Sequence, residues 1–168
     1  RLNFSVFAKA ASDFVTNRTG FTILHPLENV VGQPVDVTHT DGTQTLQWFP
    51  ENISPGQPIF DIRALTHQVG PELTATVLME GGKFEMEDHR NWMDASFKTY
   101  SGSLLDPWPY TIERGENINQ TVTLTVSGLN QPTKFQPPKK TISVSLGKPT
   151  EALPDFGTAL SLTGPADV

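Results

Sequence analysis

Short runs of alternating apolar and polar residues, separated by turn signals, limit the fold of this chain more than any other feature. The clearest runs lie at 1–10 (RLNFSVFAKA), 119–127 (NQTVTLTVS) and 141–146 (TISVSL). A period of two residues is typical of β-strands that bury one face, and no stretch repeats its apolar residues every 3.6 positions as an amphipathic helix would. We therefore predict an all-β, antiparallel β-sandwich with little or no helix.

Two glycine-containing pairs predict hairpins between these strands. Asp41-Gly42 separates the β-rich runs 34–40 and 43–49, and both positions of a two-residue turn need positive φ, which this pair tolerates. Gly81-Gly82 separates 73–80 from 83–88 in the same way. The run TGFTILH at 19–25 predicts a short buried strand, and Pro26 ends it because proline cannot donate to a ladder.

The 168 residues suit one domain, which we assign to 1–148. From Pro149 onward the sequence is rich in proline, glycine, alanine and threonine, so 149–168 is predicted to be a linker or the entry to another domain. The chain opens at Arg1 directly on an alternating run. We expect it to be part of a longer protein and to lack the first strands of its domain.

Charge and cysteine content narrow the class of partner. The formal net charge is −6, which argues against nucleic acid or an anionic membrane as the partner. No apolar run approaches ~20 residues, so no membrane span is expected. Cysteine is absent, which excludes disulfides and thiolate metal sites and fits a cytoplasmic protein. Three Asn-X-Ser/Thr triplets, at Asn17, Asn52 and Asn119, leave open a secreted sugar-binding sandwich.

The segment 84–100 (FEMEDHRNWMDASFKTY) carries most of the candidate chemistry. Burying so many ionisable groups is costly unless they are paired, so this segment is either a network of structural ion pairs or the wall of a polar site. Ester hydrolysis needs a carboxylate to activate water and cations to hold the oxyanion. Carbohydrate binding needs planar hydrogen-bonding groups beside an aromatic face. The candidates are Asp88, Arg90, Asp94 and Lys98 for catalysis, and Asn91 and Trp92 for substrate binding.

Three residues outside this segment are further candidates for substrate binding. His25 ends a predicted strand, where an imidazole could act as an acid or base. Asp61 and Arg63 lie two positions apart, which places an acid and a base on one strand face. No phosphate-binding loop, dinucleotide fingerprint, GxSxG elbow or HExxH motif occurs, and no histidine pair has metal-ligand spacing. No cofactor and no metal site are predicted.

Three runs, NRTGFTILHPLENVVGQPV (17–35), FPENISPGQPIFDIRALTH (49–67) and FEMEDHRNWMDASFKTY (84–100), resemble the N-terminal β domain of bacterial D-apionate lactonases. The resemblance covers roughly residues 4 to 125 in order. Thr19, Thr22, His89 and Met93 depart from the family pattern, which has glutamine where this chain has His89. That departure puts in doubt any role that needs a neutral amide at this position.

The resemblance implies a fold and an activity. The domain would be a fragment of a mutarotase-like supersandwich, followed in the longer protein by a (β/α) barrel with which it packs. The longer protein would hydrolyse D-apionolactone, a small sugar lactone, during apiose catabolism, while the fragment alone could be inactive. The alternative is a non-catalytic carbohydrate-binding or scaffold domain packed on a glycosidase-like barrel.

Overall fold

The computed structural model describes residues 1–128 and confirms the all-β, antiparallel prediction. Within these residues the helical content is a single 3₁₀ turn, His89–Trp92, and no helix is long and apolar enough to cross a membrane. The eleven strands are β1 (Leu2–Lys9), β2 (Phe14–Thr16), β3 (Thr22–Pro26), β4 (Pro34–His39), β5 (Gln44–Trp48), β6 (Ile59–Gly70), β7 (Leu73–Glu80), β8 (Phe84–Asp88), β9 (Ser96–Ser101), β10 (Tyr110–Ile112) and β11 (Asn117–Gly128).

Nine of these strands form one curled sheet, and β2 pairs with β10 in a second, small sheet. The path through the large sheet is β1-β11-β7-β6-β8-β9-β3, and β4 pairs with both β5 and β6. The twelve-residue strand β6 is therefore shared: it pairs with β4 and β7 along most of its length and with β8 at its beginning. A register shift between Ile59 and Ile62 marks the bend where β8 joins.

One hydrophobic core lies between two limbs of this sheet, the first formed by β4, β6, β7 and β11 and the second by β8, β9 and β3. Alternate residues of β4 and β6, such as Val37 and Leu65, are fully buried on one side. Phe84, Met86 and Phe97 of β8 and β9 are fully buried and belong to the same apolar cluster. The limbs thus enclose a common core, and the outer face of β8 and β9 is left for polar side chains.

The hairpin at Asp41-Gly42 is confirmed, but its turn differs from the predicted one. Only Gly42 has a positive φ, 87°, and its N–H donates to the His39 carbonyl at 3.0 Å. The Asp41 carboxylate accepts from the Thr43 N–H at 2.8 Å. The His39 N–H donates to the Thr43 carbonyl, so three residues form the loop. The Asp41 side chain stabilises the turn through its bond to Thr43, and Asp41 does not adopt the left-handed conformation that a two-residue turn would need.

The predicted hairpin at Gly81-Gly82 is wrong. Both β7 and β8 run antiparallel to β6, so they run in the same direction and cannot form a hairpin with each other. Gly81 has a φ of 91°, and a Cβ there would lie 2.0 Å from the Asn119 carbonyl oxygen. Glycine is needed here because the chain passes close to the backbone of β11 as it moves to the other limb.

The prediction that the run before Pro26 is a buried strand is also wrong in part. β3 lies at the end of the sheet path, where only its inner face packs on the core. His25 on that face is buried, whereas Leu24 on the outer face is 62% exposed. Pro26 does end the strand, opposite Ser96 of β9. The predicted strand at 141–146 and the predicted boundary at 148/149 lie outside the described residues.

Candidate functional site

The outer face of β8 and β9 carries a cluster of charged side chains because the strands alternate. Glu85 lies opposite Tyr100 and Glu87 lies opposite Lys98 in the antiparallel register. The residues between them, including Met86 and Thr99, face the core. Side chains from two connecting segments, the one between β2 and β3 and the one between β8 and β9, join this face. We call the following set the outer cluster: Arg18, Glu85, Glu87, His89, Asp94, Lys98 and Tyr100.

Arg18 is the cation that joins the two glutamates of the outer cluster. Its guanidinium donates to Glu85 Oε1 at 2.5 Å and to Glu87 Oε1 at 2.6 Å, and its Nε donates to the Gly102 carbonyl at 3.2 Å. The guanidinium also lies over the Tyr100 ring, 4.6 Å from its centroid. Glu85 is fully buried, and its Oε2 has no hydrogen-bond partner among residues 1–128. Arg18 is therefore the counter-charge that allows this carboxylate to be buried.

Lys98 and Asp94 form the exposed end of the outer cluster. The Lys98 ammonium donates to Asp94 Oδ2 and contacts His89 Nδ1 at 3.1 Å. Its hydrogen bond lowers the pKa of Asp94, and the same bond raises the pKa of Lys98. Both groups are therefore charged at neutral pH. The Asp94 side chain is 45% exposed, so a ligand can reach this pair from solvent.

Asp88 and Arg90 form a separate pair that points away from the outer cluster. Arg90 donates to Asp88 through Nε at 2.9 Å and through Nη2 at 2.7 Å, and the Ser54 N–H donates to Asp88 Oδ2 at 2.9 Å. Burial opposes ionisation of Asp88, but these hydrogen bonds outweigh it and lower the pKa. The Asp88 side chain has no exposed surface. The four predicted catalytic residues thus fall into two pairs.

The Asp88–Arg90 pair fixes the loop that follows β5. The guanidinium of Arg90 donates to three consecutive backbone carbonyls of that loop, those of Pro50, Glu51 and Asn52. It also lies 5.0 Å from the centroid of the buried Phe97 ring. The pair therefore holds the loop against the start of the 3₁₀ turn, where Asp88 accepts the Arg90 N–H as the N-cap.

The loop and the 3₁₀ turn border a small groove of about 180 Å³. Trp92, which is 72% exposed, forms one side together with Asn91. Residues lining the groove include Ser54, Gly56, Gln57, Glu87 and Leu104. Because Glu87 also belongs to the outer cluster, the groove and the cluster are adjacent. The structure thus places the predicted binding residues Asn91 and Trp92 beside Glu87, at the edge of the outer cluster.

The remaining predicted binding residues lie elsewhere. His25 is buried on the core side of β3, where its Nε2 and Thr99 Oγ1 are 2.9 Å apart. Asp61, at the bend of β6, accepts from the Thr40 hydroxyl at 2.6 Å, and Arg63 is exposed. These three residues are not brought together with the outer cluster. Residues 1–128 contain no group of three or more His, Asp or Glu side chains arranged to hold a metal ion.

The two buried histidines, His25 and His67, are expected to lower the free energy of unfolding in acid. Their rings lie 6.0 Å apart, and burial together with His67 lowers the pKa of His25 to about 4. Burial also lowers the pKa of His67. Unfolded histidine binds its proton near pH 6.5, so the free energy of unfolding falls as the pH drops from about 6.5 to about 4, by about 3 kcal/mol for His25 alone. Denaturant unfolding at a series of pH values measures this loss.

The matched variants for this prediction are His25→Asn and His39→Gln. The His39 ring forms hydrogen bonds with the Asp61 carbonyl and the Thr45 hydroxyl at the hairpin of β4 and β5. We expect His39→Gln to keep the acid-dependent loss and His25→Asn to reduce it. An identical dependence on pH in wild type and His25→Asn would contradict the assignment.

Sequence reasoning did not select Arg18, Glu85, His89 or Tyr100 as site residues. Alternation within β8 could have placed the two glutamates on one face, and alternation within β9 could have placed Lys98 and Tyr100 on one face. Arg18 could not have been found, because its partners lie 67 and 69 positions away and no local pattern links them.

Comparison with known proteins identifies the relatives of this chain. The family described as "D-apionate lactonase, N-terminal domain" matches residues 1–129. A curated D-apionate lactonase from Brucella anthropi is 43% identical over 165 residues, which cover 95% of this chain and 26% of the relative. The chain therefore spans about a quarter of the length of the curated relative it matches. No solved structure matches the chain.

Proposed function

This chain belongs to the D-apionate lactonase N-terminal domain family, and from that membership we propose that it is part of a hydrolase acting on D-apionolactone. The 43% identity to a D-apionate lactonase supports this assignment. Because the relative is about four times as long, we propose that the activity belongs to a longer protein in which a (β/α) barrel accompanies this domain.

We place the contribution of this domain at the exposed end of the outer cluster. Opening a lactone requires water to attack the carbonyl carbon, which gives a tetrahedral oxyanion and then a carboxylate and a hydroxyl group. A cation near the oxyanion stabilises the transition state, and a carboxylate can accept the proton of the attacking water. Lys98 and Asp94 are suited to these two roles, and the adjacent groove at Trp92 has the polar groups and aromatic face that suit a small sugar.

The observation that carries this placement is the difference between the two predicted catalytic pairs. Asp94 is 45% exposed, whereas the Asp88 side chain is fully enclosed. An ammonium has three donor hydrogens, and Lys98 uses two of them on Asp94 and His89, so one is free among the described contacts. Asp88 and Arg90 act instead by holding the loop that borders the groove.

The contact with Lys98 lowers the basicity of Asp94, which has a consequence for the reaction. We propose that the free donor hydrogen of Lys98 binds the carbonyl oxygen of the bound lactone. As negative charge develops on that oxygen, it competes with Asp94 for the ammonium, so the hydrogen bond to Asp94 weakens and Asp94 becomes a better base for the attacking water.

Replacing Lys98 by methionine in the longer enzyme tests this role. We expect the turnover of D-apionolactone to fall by about 10²-fold, as when an oxyanion donor is removed. We expect Asp94→Asn to lower the turnover as well. The control is Lys83→Met, because Lys83 forms an exposed ion pair with Asp106 outside the outer cluster. Proton release measures the turnover. Unchanged turnover in both Lys98→Met and Asp94→Asn, with both proteins folded, would contradict the placement.

A further inference from the structure

His89 lies at the centre of the outer cluster, between the side chains of β8 and those of β9. Its Nδ1 is 3.1 Å from the Lys98 ammonium. Its Nε2 is 3.2 Å from Glu87 Oε2 and 2.9 Å from the Tyr100 hydroxyl. The imidazole and the Tyr100 ring are also in contact, with centroids 5.5 Å apart. Each ring nitrogen therefore has a defined partner of different chemistry.

The partners fix the protonation of the ring. The ammonium of Lys98 can only donate, so His89 Nδ1 has to be the acceptor and cannot carry a hydrogen. Glu87 is a carboxylate that only accepts, so Nε2 carries the hydrogen of the neutral ring. This arrangement thus requires neutral His89 with its proton on Nε2. A second proton on Nδ1 would place two positively charged donors against each other at the same distance.

The charged groups around His89 come from every element that packs against it. Glu87 of β8 favours the imidazolium, and Lys98 of β9 opposes it. Asp94, in the turn before β9, is bonded to Lys98, and Arg18 is bonded to Glu87 on the side away from the imidazole. The Tyr100 hydroxyl can donate or accept, so its contact with His89 Nε2 is compatible with either protonation state of the ring. The single contact that a second proton would break is the one to Lys98.

We propose that His89 is a positioning residue for Lys98 and that the site works only while His89 is neutral. This inference rests on the proposed function, because it gives Lys98 the oxyanion as its target. Neutral His89 and Asp94 each accept one donor hydrogen of Lys98, so the direction of the third donor hydrogen is fixed. When His89 takes up a proton, it repels the ammonium, and Lys98 is held by Asp94 alone. The direction of the free donor hydrogen is then no longer fixed.

The pH dependence of turnover in the longer enzyme tests this proposal, with variants at His89. Imidazoles titrate between about pH 5 and 8. We expect wild-type turnover to fall by about tenfold or more from pH 8 to pH 5, and we expect the acid limb to appear in kcat. His89→Gln retains an uncharged acceptor and donor, so its acid limb should be lost. His89→Leu removes the acceptor and should lower kcat across the whole range.

The control is His39→Gln, which should keep the acid limb because His39 lies at the hairpin of β4 and β5. An acid limb of the same midpoint and depth in His89→Gln would overturn the proposal. So would a wild-type profile without an acid limb. A purely structural role for His89 would lower the turnover of both variants without moving the profile.

Nitrogen NMR of the imidazoles in the 168-residue chain tests the same contact without substrate. At pH 8 we expect His89 to carry its proton on Nε2 alone, and we expect Lys98→Met to change the chemical shift of Nδ1 because the hydrogen-bond donor of this nitrogen is removed. A proton on Nδ1 at pH 8, or an unchanged Nδ1 chemical shift in Lys98→Met, would overturn the proposal. If the longer enzyme fails to hydrolyse the lactone, the proposed function fails, and this measurement still decides whether His89 positions Lys98.

Discussion

Replacing Arg18 by methionine is expected to lower the free energy of unfolding by about 3–5 kcal/mol, the usual cost of removing one partner of a buried ion pair. Arg18 is the described counter-charge of Glu85, whose side chain has no exposed surface. Methionine fills a similar volume but cannot donate, so Glu85 would be left as a buried charge with only the Leu104 N–H as a donor. Glu87 and the Gly102 carbonyl would each lose a donor as well. Denaturant unfolding measures the change.

Two further variants separate the loss of the ion pair from the loss of packing. Arg18→Met combined with Glu85→Gln removes both charges, and we expect the double variant to recover more than half of the stability lost by Arg18→Met. Lys83→Met removes one partner of the exposed pair with Asp106, and we expect little change in stability. A double variant as unstable as Arg18→Met would show that the buried charge is not the cause.

The second large effect is expected from Arg90→Met, which should also cost about 3–5 kcal/mol. This change leaves Asp88 enclosed with only the backbone N–H groups of Ser54 and Arg90 as donors. It also removes the donor to three consecutive loop carbonyls, so the loop at 50–52 should become more open to hydrogen exchange. Unfolding experiments give the stability, and exchange of the loop amides gives the local effect.

Arg63→Met is the matched control for Arg90→Met because Arg63 is exposed on β6. Its stability should stay within about 0.5 kcal/mol of wild type. If Arg90→Met lost no more stability than Arg63→Met, the assignment of the Asp88–Arg90 pair as a support of the loop would be wrong. Faster exchange throughout the sheet rather than in the loop would also contradict it.

Local sequence patterns predicted the strands well and predicted their connections unevenly. Alternation identified β1 and β11, although only β11 places a residue, Val122, in the core, whereas every residue of β1 except Val6 is exposed. Asp41-Gly42 predicted its hairpin because the two strands it joins have no competing partner on that side. Gly81-Gly82 carries a similar local signal, but β7 pairs with β6 and β11 instead of β8. That choice depends on strands distant in sequence, so no local pattern could show it.

The same distinction explains what could be predicted of the site. The composition of the segment from Phe84 to Tyr100 indicated a polar cluster, and the structure places one there. Asp88 was grouped with Asp94 because both are near in sequence, yet strict alternation along β8 already places Asp88 on the opposite face from Glu87. The 3₁₀ turn and the positive φ of Met93, 61°, then break the period, so the faces of Asp94 and Lys98 could not be counted from β8.

The central claim is that this chain belongs to an enzyme that opens D-apionolactone. The most direct measurement is proton release from D-apionolactone by the longer enzyme, beside the 168-residue chain at the same concentration. The account predicts rapid hydrolysis by the longer enzyme and little or none by the isolated chain, since the proposed barrel would lie outside these 168 residues. Hydrolysis by neither protein, with both folded, would contradict the claim and would favour a carbohydrate-binding or scaffold role for the domain.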